Sequence, residues 1–186
     1  MQISLDRARV MAVLPKVETG LGKYMWLQHY LHEVDVSSDA EFQRRFAGFY
    51  RVRRNATWRR AFFDLLEDVK RSRPAFGDVL HHLQETTGRV EASFASKLVA
   101  TVDPDQPVID SVVLRNLGLR LPYHSSAERI TGVLRIHAEL SARFARLLGT
   151  ADGRALVQAF QSAYPDTNLS ETKMLDLVLW QMRDSA

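Results

Sequence analysis

Cysteine is absent from this chain of 186 residues. That absence removes disulfides, thiolate zinc sites, iron–sulfur clusters and cysteine nucleophiles together, and fits a reducing compartment. Glycine and proline are sparse, at 9 and 6 residues, too few for a linker-rich or collagen-like chain. No apolar run approaches the roughly 18 residues that cross a bilayer, and the N-terminus lacks the apolar stretch of a signal peptide. No H-E-x-x-H pair, nucleophile elbow, phosphate-binding glycine loop or dinucleotide fingerprint occurs. Metalloprotease, serine hydrolase, kinase and nucleotide-cofactor chemistries therefore have no motif. The six histidines are scattered, and His81 and His82 point to different faces of one helix. A cytoplasmic monomer with no metal, cofactor or membrane is the expectation.

What is present has ordinary globular proportions: 46% hydrophobic and 25% charged residues, in a length suited to one domain spanning 1–186. The net charge of +3 hides an uneven distribution. Between Arg44 and Arg73 ten basic residues face three acids, a local +7 that leaves the rest of the chain at −4. Segregation of this kind suggests a surface for a polyanion, although arginine outnumbers lysine 20 to 5 and such a bias also follows from base composition. Within the basic stretch, residues 50–60 interleave Tyr50 and Trp58 with Arg51, Arg53, Arg54, Arg59 and Arg60. Arginines at a helix junction suit phosphates, and an aromatic ring there could stack on a base. The competing reading pairs the arginines with Asp64, Glu67 and Asp68 and places Trp58 mostly in the core.

Helical periodicity runs through nearly the whole chain, and strand alternation nowhere. A short helix over Leu5–Val13 is expected to stop near Pro15, with Gly20 and Gly22 opening the next segment. Ser37-Ser38-Asp39 should cap a helix bearing Phe42, Phe46 and Phe49, and Asn55 or Thr57 the one after it. Pro74 suits the first turn of a further helix that Gly88 ends. Short helices follow over Glu91–Thr101 and from about Asp110 to Leu117. Ser125–Glu128 reads as a capping box opening a long amphipathic helix with Ile130, Val133, Leu134, His137, Leu140 and Phe144 on one stripe. Helices near Ala151–Ala163 and Glu171–Arg183 close an all-α domain.

The informative stretch runs from Thr87 to Gly118. A glycine turn, a short helix rich in small residues and a Pro-bearing turn lead to Pro107-Val108-Ile109-Asp110-Ser111-Val112-Val113-Leu114-Arg115. A carboxylate at the mouth of a helix is attracted by the first backbone amides, so Asp110 reads as an N-cap on geometry alone. Ser93 and Lys97 lie four apart on one face of the short helix, beside Glu91 and Ser96. Lys97 is expected near Asp110, where it would hold the carboxylate ionised.

In the order of these features the chain resembles the helix-hairpin-helix DNA glycosylase superfamily over residues 76–121, about a quarter of its length. The resemblance implies the all-α glycosylase fold and a DNA partner. It also implies an N-glycosidic bond as the target, with a base flipped out of the stack. Asp110 would hold the place of the catalytic aspartate, with Lys97 and Glu91 as further candidate catalytic residues. Arg51, Arg53, Arg54, Arg59, Arg89, Ser93 and Ser96 would contact nucleic acid. The chain departs from the family at the hairpin, where Gly88-Arg89-Val90-Glu91 lacks the second glycine and carries an acid. The slot of the Schiff-base lysine falls at Glu91 or Ala92, so a monofunctional enzyme without lyase chemistry is expected. A non-catalytic binding module of the same fold, and a regulatory module that binds an acidic protein surface, are the alternatives.

Overall fold

A computed structural model describes residue 5 and residues 7–122 and 127–182. Among the described residues there are nine α-helices and no strand. They are α1 (Arg7–Tyr30), α2 (Ala40–Tyr50), α3 (Ala56–Val69), α4 (Phe76–Thr87), α5 (Ala92–Val102), α6 (Ser111–Asn116), α7 (Ala127–Leu148), α8 (Ala151–Ala163) and α9 (Glu171–Gln181). The chain packs as two compact units, one of Met1–Glu18 with Pro104–Ala186 and one of Thr19–Asp103. Length alone does not foretell that division.

In the unit of Thr19–Asp103, the caps form where the sequence places acceptors. Asp39 accepts the amide of Phe42 to open α2, and Asn55 accepts that of Trp58 to open α3. Phe42, Phe46 and Phe49 fall on the buried face of α2. Phe46 packs 5.4 Å from both Phe62 and Phe63 of α3, centroid to centroid. Gly88 ends α4 at φ 69°, a left-handed conformation that costs glycine little. The chain then turns back so that α5 packs on α4 as a helical hairpin.

In the unit of Pro104–Ala186, α9 packs against α6, α7 and α8. The stripe of α7 lies inside as its periodicity demands, with Ile130, Val133, His137, Leu140 and Phe144 buried. Thr150 caps α8 through the amide of Gly153. A side chain at Gly153 would collide with the Leu147 carbonyl oxygen.

Two expectations need correction. Pro15 does not stop the first helix: α1 runs without a break through Pro15, Gly20 and Gly22. Its buried stripe continues on both sides of the proline through Val10, Val13, Leu14, Val17, Leu21, Tyr24 and Leu27. That burial outweighs the loss of one backbone hydrogen bond. Pro74 does not enter the first turn of α4 either. Ala75 is the N-cap, in extended conformation, and the helix begins where Phe76 enters the core. The Ser125–Glu128 capping box begins outside the described residues.

Candidate nucleic-acid interface and carboxylate site

The turn between α2 and α3 holds the arginine stretch. Arg51 ends α2 at φ 55° and ψ 47°, the one non-glycine residue at positive φ among those described. The amide of Val52 reaches back 2.9 Å to the Ala47 carbonyl and closes the helix. Arg51, Arg53, Arg59 and Arg60 are exposed around this turn. Arg53 and Arg59 have no ion pair among the described residues. Arg60 meets the exposed Asp64, at 3.8 Å. The first turn of α3 contains no acid, so its positive dipole end adds to the arginine field.

Arg54 behaves differently. It is one-third exposed and its Nη2 donates to both carboxylate oxygens of Glu91, at 3.1 and 2.9 Å. Glu91 is 6% exposed and introduces α5 without capping it. Its carboxylate thus fastens the α2–α3 turn to the hairpin. The Arg54 guanidinium lies 4.9 Å from the Phe94 ring centroid, and the Lys97 ammonium 5.0 Å from the same ring. Trp58 is buried, as its apolar context demands, stacking on Phe62 at 5.1 Å and meeting Phe94 at 4.7 Å.

Lys97 donates to the main-chain carbonyl of Tyr50 at 3.1 Å. Ser93 is half-buried and Arg89 exposed. Ser96 is fully enclosed, and its hydroxyl donates back to the Ser93 carbonyl within α5.

Asp110 belongs to the unit of Pro104–Ala186. Pro107, Val108 and Ile109 are buried and carry the chain to the mouth of α6. There Asp110 is half-buried, and its Oδ1 accepts the Val112 amide at 2.8 Å. The carboxylate makes no other hydrogen bond and no ion pair among the described residues. One of its oxygens is thus held by the helix and the other is uncommitted.

The residues behind Asp110 escaped the sequence analysis. Lys173 and Asp176 of α9 are buried together, 1% and 7% exposed, with Nζ donating to Oδ2 at 3.1 Å. Asp176 also accepts the backbone amide of Val108 and feels the charge of Asp110. Burial pushes the Asp176 carboxyl above its ordinary range and Asp110 adds to the rise, while Lys173 and the Val108 amide oppose it. The only sequence signal was a lysine and an aspartate three apart in the otherwise apolar run of residues 173–180. Among the described residues no group of histidine and acidic side chains is arranged to hold a metal ion, and no helix is long and apolar enough to cross a membrane.

No family model matches the chain, and neither a characterised protein nor a solved structure is significantly similar to it.

Proposed function

We propose that this chain acts on nucleic acid, holding phosphates at the arginine turn and excising a base by hydrolysis of its N-glycosidic bond at Asp110. The observation that carries the nucleic-acid half is the conformation of Arg51. A left-handed residue costs an L-amino acid about 1–2 kcal/mol, which glycine avoids. An exposed arginine in that conformation, among three further exposed arginines, points to a use for its guanidinium. Phosphate oxygens match that chemistry, and the exposed Arg53 and Arg59 extend it along a backbone.

Asp110 supports the chemical half of the reading. Held through one oxygen by an amide, its carboxylate presents negative charge without needing to reorient. As the base departs, the sugar develops positive charge that such a carboxylate stabilises. Water then adds to C1′, and the base leaves with the proton. Glu91 takes no part, since it is enclosed and paired with Arg54. Lysine imine chemistry is not invoked, so the abasic strand stays intact.

A second reading is favoured by the same Asp110 bond, because capping α6 is by itself a sufficient role. Nucleic acid would then bind without base release. Binding to single-stranded, duplex and base-damaged oligonucleotides at two salt concentrations, with base release scored in the same samples, decides between them. Salt-sensitive binding with release supports the enzyme, and binding without release leaves the module. No binding at either salt overturns both and assigns the arginines to an acidic protein partner.

A further inference from the structure

Burying two opposite charges in a helix core is a poor way to gain stability, because both must be desolvated. An apolar pair of similar volume often serves a core as well or better. Lys173 and Asp176 are such a pair, so their value is to be sought in what else they touch.

The contact is with the chain that leads to Asp110. Three groups tie the segment from Pro104 to Asn116 to α9. The Ser170 hydroxyl donates to the Pro104 carbonyl at 2.7 Å. Asp176 accepts the amide of Val108, two residues before Asp110. The Asn116 side chain donates to the carbonyls of Leu179 and Met182, both at 2.9 Å, and so satisfies the C-terminal end of α9. The outer ties are neutral hydrogen bonds at the two ends of the segment. The middle one is made by a charged residue, adjoins Asp110 and lies within its electrostatic reach. Lys173 holds Asp176 in place through the bond to its Oδ2, which leaves the rest of the carboxylate to meet Val108.

We propose that Lys173 and Asp176 are positioning residues for Asp110, their buried ion pair setting the Val108–Asp110 backbone and with it the aim of the Asp110 carboxylate. This rests on the reading of Asp110 as the reacting carboxylate, but its test does not depend on activity alone.

The decisive variant replaces both charges, Lys173→Met with Asp176→Leu. A merely structural pair would be replaced without consequence for Asp110. A positioning pair leaves a folded protein whose oligonucleotide affinity is unchanged and whose Val112 amide exchanges about tenfold faster or more. Its base-release kcat falls about 100-fold with KM unchanged. Asp176→Asn, which keeps an acceptor for the Val108 amide, should stay within about tenfold of the parent rate. If the double variant does not fold, Asp176→Ala withdraws the acceptor without adding bulk, and it must show the same faster exchange at Val112. Parental exchange at Val112 in a folded variant lacking the acceptor, with parental base release, overturns the proposal. If the parent protein releases no base, the Asp110 reading fails by itself, and exchange at Val112 alone upholds or overturns the positioning role.

Discussion

Arg54–Glu91 and Lys173–Asp176 both enclose an acid against a base, yet they differ in what they join. The first spans 37 residues of sequence, and its arginine is 33% exposed. It closes the turn between two helices onto a hairpin, so its reason for existing is visible in the pair itself. The second joins residues three apart on one helix, both enclosed, which the turn of α9 by itself places side by side. Its use must lie in a third partner, and that partner is the backbone before Asp110. A long-range pair organises its own two ends, whereas a local buried pair serves as a platform for something else.

Breaking each pair from one side should separate these roles, and the largest effect is expected at Lys173. Lys173→Met leaves Asp176 enclosed without its ammonium and should cost about 3–5 kcal/mol by urea unfolding. Removing Asp176 as well should restore most of that loss, because the uncompensated charge is gone.

The unit that holds the local pair also holds a buried neutral histidine, which makes it sensitive to acid. Burial lowers His137 from 6.5 to about 4. The folded state therefore resists a proton that the unfolded chain accepts. Stability is full above pH 6.5 and falls as pH drops towards about 4, by about 3 kcal/mol in all. Urea midpoints measured across that range should lose this component of their slope in His137→Met.

At the other pair, Arg54→Met leaves Glu91 enclosed but beside a position that water reaches. A cost of about 2 kcal/mol is expected, less than at Lys173 because solvent screens the partly exposed partner. The smallest change runs in the opposite direction. Arg51→Gly relieves the left-handed backbone and should raise stability by about 1 kcal/mol. The same variant should bind oligonucleotides more weakly and with a shallower salt dependence, readable in one titration series. Higher stability with undiminished affinity would remove the functional reason for the strained arginine.

How much of this was legible in the sequence depended on how local each cause is. Asp39, Asn55 and Asp110 were readable as caps because the acceptor and its amide lie two or three residues apart. The stripes of α2 and α7 were readable because their apolar spacing matches the helix period. Pro15 misled because a local penalty was set against a buried stripe that continues on both sides of it. Arg54–Glu91 was hidden by its sequence separation. Lys173–Asp176 was hidden because residues 173–179 of α9 are all buried, so no polar face existed to tell an inward charge from an outward one. For the candidate site, the sequence singled out Asp110 and the arginine turn, but could not show that Glu91 is bound to Arg54 or that Ser96 is enclosed.

Most directly tested is the claim that Asp110 carries out base excision on nucleic acid held by the arginines. Base release from damaged duplex oligonucleotides should be followed for the parent protein and for Asp110→Asn at matched binding saturation. The account predicts that the parent frees the base and leaves the abasic strand uncut, while Asp110→Asn binds equally well and releases base at least about 100-fold more slowly. Equal rates in the two proteins, or saturating binding with no release by either, would contradict it.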